Sequence, residues 1–94
     1  MKHAGPDTLD RLEPLLEKLR ARPALREKSR GVFYLRSRAF LHFHEDPSGL
    51  FADARLADDF VRLPATTRAQ QATLLERIDE QLKEAGRRSC ASRS

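Results

Sequence analysis

The chain has 94 residues, 39% hydrophobic and 34% charged, with 18 Lys and Arg against 14 Asp and Glu for a net charge of +4. That is one domain's worth of sequence with an ordinary globular composition, too short for two independent cores. No apolar run approaches the roughly 18–20 residues of a membrane-spanning helix, and the lone cysteine, Cys90, excludes an intramolecular disulfide. The opening MKHAGPDTLD lacks the apolar centre of a secretion signal, so a cytoplasmic protein with no membrane partner is expected.

In chain order, residues 1–7 read as a loose terminus. Leu9, Leu12, Leu16 and Leu19 then recur at spacings of three and four, one apolar stripe on a helix. Asp7 fits an N-cap with Asp10 three residues on. Pro14 interrupts the stripe, because an interior proline removes a hydrogen bond and clashes one turn back at a cost of roughly 3 kcal/mol. The spacing therefore predicts a loose turn over residues 8–12 and a firm helix over about 14–21, ending before Pro23.

Gly31 opens GVFYL, a β-branched and aromatic run typical of strands; AFLHFHE and LFADARL follow, with DPSG between them. A weaker fourth strand covers Phe60 to Leu63, stopped by Pro64. Asp-Pro-Ser-Gly suits a type I turn. With those four residues as the loop, paired residue numbers sum to 95. Ala39, Leu41, Phe43, Ala52 and Ala54 then share one face, while Phe40, His42, His44, Phe51, Asp53 and Arg55 share the other. A slip of one residue would mix the faces. Thr66 or Thr67 caps a last helix running to about Ala85, with Ala72, Leu75, Ile78 and Leu82 as its stripe, Leu74 beside it and Gly86 as its stop. The expected architecture is a single α+β domain over residues 1–86: an N-terminal helix, a three- to four-stranded antiparallel meander, and a C-terminal helix packed on the Leu41 and Phe43 face. Residues 87–94 read as a disordered basic tail.

The histidine face is the chemical question. His42 opposite Asp53 implies a raised imidazole pKa and a fixed tautomer, the start of a general base. No serine or cysteine joins the pair, so it reads as a cross-strand structural contact rather than a catalytic dyad. His42 and His44 lie about 6–7 Å apart on one strand face, with Asp53 as a third metal-ligand candidate. HxH alone falls short of a metal pattern, His3 lies in the loose terminus, and no cofactor is expected. Phe40, His42, His44, Phe51 and Arg55 form a candidate interaction face, covered by a helix or by a second copy in a homodimer.

Charge is segregated. Three of the four net positive charges fall in RRSCASRS, and residues 18–38 set Lys18, Arg20, Arg22, Arg26, Lys28, Arg30, Arg36 and Arg38 against Glu27 alone. Residues 45–59 carry Glu45, Asp46, Asp53, Asp58 and Asp59 against Arg55. The basic segment, through Arg20, Arg22, Arg26, Lys28, Arg30, Arg36 and Arg38, is a candidate nucleic-acid surface.

RPALREKSRGVFYLRSRAFLHFHEDPSGLFAD, followed by DDFVRLPATT and a closing helix, resembles a group of small uncharacterised bacterial α+β proteins. Its element order is also similar to the MmcQ/YjbR-like family, whose fold has been compared with DNA-binding "double-wing" domains. The resemblance spans about residues 13–85. It implies the fold and nucleic-acid binding, and supplies no catalytic residue. With no complete catalytic set, the leading expectation is a non-enzymatic binding or interaction module.

Overall fold

A computed structural model describes residues 2–91, with side chains through residue 86. Its elements in order are β1 (Lys2–His3), α1 (Pro6–Arg20), β2 (Leu25–Ser29), β3 (Val32–Leu35), β4 (Arg38–Asp46), β5 (Gly49–Leu56), β6 (Asp59–Pro64) and α2 (Arg68–Ala91). The α+β class and the two flanking helices match the sequence reading, but the antiparallel sheet has six strands, not three or four. Its path is β2-β3-β4-β5-β6, with β1 paired to β4. The last β3–β4 pair is Phe33 with Leu41, and β1 takes the same side of β4 further on, pairing His3 with His44 and Lys2 with Glu45. Residues 2–3 are therefore built into the sheet, not loose.

The β4–β5 ladder runs Leu41–Ala54, His42–Asp53, Phe43–Ala52, His44–Phe51, Glu45–Leu50 and Asp46–Gly49, the register that the face argument requires. Asp46 Oδ2 fixes the turn by accepting hydrogen bonds from the Ser48 amide (3.1 Å) and hydroxyl (2.6 Å). One core cluster joins Leu12, Leu15, Leu16 and Leu19 of α1 and Leu74 and Ile78 of α2 to Phe33, Leu41, Phe43, Ala52 and Ala54 of the sheet. Both helices thus cover one face, and strand alternation turns His42, His44 and Asp53 to the other. Among the described residues, no helix is long and apolar enough to cross a membrane.

Helix α1 departs from expectation. It starts at Pro6, Gly5 is its N-cap in place of Asp7, and it runs through Pro14. The missing cap comes from across the sheet: Glu45 Oε2 accepts the Gly5 amide (2.9 Å) and the Thr8 hydroxyl (2.5 Å), placing a carboxylate at the positive end of the helix. Proline at N1 loses no helical bond. Burying a leucine contributes roughly 1.5–3 kcal/mol, so the four fully buried leucines of α1 outweigh the roughly 3 kcal/mol cost of Pro14.

Helix α2 begins with a reciprocal cap. Thr67 Oγ1 accepts the Gln70 amide (3.1 Å), and Gln70 Oε1 accepts the Thr67 amide (3.1 Å). Its buried line is Leu74 and Ile78, with Leu75 and Leu82 partly buried and Ala72 exposed. The helix continues through Gly86 to Ala91, so Gly86 is not its stop. Of the expected tail, residues 92–94 lie outside the described residues.

Candidate metal centre

Local strand geometry assembles the site. His42 and His44 alternate with Leu41 and Phe43, so burying the apolar pair in the core turns both imidazoles to the helix-free face. The β1 register then sets His3 opposite His44, and the Ala4 amide donates to the Phe43 carbonyl at 3.1 Å just beyond it. All three histidines of the chain converge. Ring centroids are 4.7 Å apart for His3 and His44, 4.9 Å for His42 and His44, and 5.9 Å for His3 and His42. One ring nitrogen from each falls within 4.8 Å of the other two.

Three nitrogens at the corners of a 4.8 Å triangle lie about 2.8 Å from its centre, against about 2.0–2.1 Å in a Zn–N bond, so each ring would move inward by under about 1 Å to close on an ion. His3, at the exposed rim on a two-residue strand, has the freedom to do so. His42 Nδ1 and both nitrogens of His44 are buried without a hydrogen-bond partner. Leaving such an atom unsatisfied costs roughly 1–3 kcal/mol. A cation in the triangle would engage one nitrogen of each ring.

Asp53 does not play the part the sequence suggests. It pairs with His42 in register, yet its Oδ2 lies 3.0 Å from His44 Nε2. That approach is close enough for an ion pair with a protonated imidazole, but its geometry is not that of an N–H···O hydrogen bond. The cause is Arg62, the register partner of Asp53 on β6. Its Nε and Nη2 fork onto the two carboxylate oxygens at 2.8 and 3.0 Å. This fork holds the Asp53 carboxyl below its ordinary pKa. Instead of rising, the His42 pKa falls below its ordinary 6.5, driven first by burial and then by neighbouring His44, with Asp53 opposing. The cluster that the structure brings together is His3, His42 and His44, and the candidate third ligand Asp53 lies beside His44 instead of among the converging nitrogens. Arg62 and His3 were both missed: one sits on the weakest-reading strand, the other on a strand two residues long.

The interaction face changes as well. Phe40 is 1% exposed and belongs to the core, not to the histidine face. A bulge explains it: Phe33 pairs with Leu41 and Tyr34 with Ala39, leaving Phe40 as the extra residue on β4, released from alternation. Phe60 takes its place, 39% exposed, with its ring edge-on to His42 at 5.2 Å and beneath the Arg55 guanidinium at 4.5 Å. Phe51 is half-buried beside His44.

The basic segment is not one surface. Arg20 bridges to Glu13 and Glu27, Arg22 forks onto Asp79 of α2 at 2.6 and 2.9 Å, and Arg30 reaches Asp10 (2.8 Å) and Glu13 (3.0 Å). Arg26 and Lys28 lie on edge strand β2, with Lys28 over the Tyr34 ring. Arg36 and Arg38 flank the β3–β4 turn.

No family model matches the chain, and neither do the curated proteins or the solved structures with which it was compared. The functional reading therefore rests on the geometry above.

Proposed function

We propose that the protein is a non-enzymatic binding module whose ligand is a divalent first-row transition-metal ion, held by His3, His42 and His44. The observation that carries this reading is the convergence of all three imidazoles, with His42 Nδ1 and His44 Nδ1 buried and without a hydrogen-bond partner. An all-imidazole donor set suits zinc, copper, nickel or cobalt, whereas magnesium and calcium require oxygen ligands. Three protein ligands leave one coordination position of a tetrahedral ion to solvent or a small ligand. Asp53, clamped by Arg62, supplies the outer carboxylate that commonly orients a metal-bound histidine.

The test is titration of tag-free protein with Co2+, read by its visible ligand-field bands and by competition with Zn2+. One ion per chain is expected, with the bands lost in His42→Ala and in His3→Ala. Absence of a saturable spectrum, or an unchanged one in both variants, would remove the reading.

A further inference from the structure

At the opposite end of β4 from the Asp46–Gly49 turn lies a second feature, independent of the histidines. The β3–β4 and β5–β6 turns come together there with α2 around a cavity of about 250 Å³, whose lining includes Arg36, Arg38, Arg55, Asp58 and Gln81. Among the described residues, none of the three arginines meets a carboxylate, in contrast to Arg20, Arg22, Arg30 and Arg62. The Arg36 guanidinium donates to the Ala85 carbonyl at 3.5 Å. Arg55 is held by the Ala39 carbonyl (3.0 Å) and by the Phe60 ring, and among the described residues the Arg38 side chain makes no hydrogen bond or ion pair. Among the described residues of the lining, Asp58 is the only acid, set against the three arginines.

Backbone strain falls in the same place. The non-glycine residues with positive φ among those described are Arg36 (60°) and Ala57 (58°), and both line this cavity. A left-handed conformation costs a side-chain-bearing residue roughly 1–2 kcal/mol, a cost that glycine would avoid. Strain of this kind tends to gather at ligand clamps. An arginine in such a position keeps a guanidinium at the cavity mouth where the easier residue would offer none.

We infer that this cavity binds a small phosphate-bearing ligand, such as pyrophosphate or a compact phosphomonoester, through Arg36, Arg38 and Arg55. Planar guanidinium forks match phosphate oxygens two at a time, and Ser37, also on the lining, adds a hydroxyl donor. Arg55 is already oriented, so binding orders only two long side chains. The volume suits one or two phosphate groups better than a run of stacked nucleotides.

Isothermal titration of the full chain with pyrophosphate at low, matched ionic strength tests this. Arg38→Gln alone and Arg36→Gln with Arg38→Gln would be compared with Arg26→Gln, which removes the same charge from β2 away from the cavity. The double variant is expected to bind at least about tenfold more weakly and the single variant less so, while Arg26→Gln stays within about twofold. Thermal melts establish that each variant is folded; Arg38 is exposed and unpartnered, so its substitution leaves the core untouched. No heat with wild-type protein at millimolar pyrophosphate overturns the inference, as does equal weakening by Arg26→Gln. Binding of a single-stranded oligonucleotide without any binding of pyrophosphate overturns it too, in favour of a nucleic-acid surface.

Discussion

His3 and His44 face each other across the β1–β4 ladder, with ring centroids 4.7 Å apart. One of these residues sits on a two-residue strand and the other in the middle strand of the sheet, so an ion bound by both would tie β1 to the centre of the sheet. Ion binding and docking of β1 are then coupled: whichever happens first favours the other.

Saturating metal is therefore expected to slow hydrogen exchange at Ala4, whose amide bonds the Phe43 carbonyl, and at Gly5. An ion at a hundred times its Kd adds about 2.7 kcal/mol to stability, a rise in Tm of about 10 °C or more for a domain of this size. Metal binding with no added protection at Ala4 would place the ion elsewhere.

Acidity should act through His42. Its pKa lies below 6.5 in the folded protein, so the unfolded chain binds the proton first as pH falls. Its contribution is constant above 6.5 and destabilises the fold progressively as pH drops from 6.5 toward the lower folded value. An NMR titration should place the His42 midpoint below 6.5, and metal affinity should fall with acid over the same range because only a neutral imidazole ligates.

Asp53→Asn should weaken metal binding about ten- to a hundredfold while leaving the stoichiometry at one. The distinguishing readout is the imidazole nitrogen shifts of His44, which should change even without metal, because Asp53 Oδ2 lies 3.0 Å from Nε2. A purely structural role for Asp53 would lower Tm without moving those shifts.

Glu45 ties α1 to the sheet. Thr8→Val, which keeps the shape but deletes the bond to Glu45, should cost about 1 kcal/mol by denaturant unfolding. Bonds from the Thr8 hydroxyl and then the Gly5 amide hold the Glu45 pKa below its ordinary 4.5. The stability it lends is thus present above pH 4.5 and lost as pH falls through the lowered value. Glu45→Gln should abolish that acid dependence; persistence of the full acid transition would assign it to other carboxylates.

Two turn positions should respond in opposite directions. A Cβ on Gly49, at φ +145°, would meet Thr66 Oγ1 at 2.6 Å, the same oxygen that accepts the Leu50 amide at 2.8 Å. Gly49→Ala is expected to cost more than about 1 kcal/mol. Ala57→Gly relieves a left-handed alanine and should gain about 0.5–1 kcal/mol after the entropy of glycine is set against it. Equal melting temperatures for both variants would contradict this.

The parts legible in the sequence were those governed by alternation and local turn chemistry. The β4–β5 register followed from keeping Leu41 and Phe43 on one face, and the start of α2 from a threonine cap, Thr66 or Thr67, of which Thr67 takes the role. Illegible parts depended on partners distant in the chain. Strand β2, LREKS, buries only Leu25 and has no apolar rhythm. The start of α1 at Gly5 depends on a cap from Glu45, 40 residues further on, and its continuity through Pro14 on the collective burial of its leucines. Phe40 escaped the face assignment because one bulge shifts the strand's parity. His3 joined the site through a strand too short to carry a pattern.

Because Lys2 and His3 lie beside β4, any purification handle fused ahead of them would emerge next to the three imidazoles. An oligohistidine sequence there would compete for the same ions and obstruct the edge that β1 occupies, so recombinant protein intended for binding work is better tagged after α2.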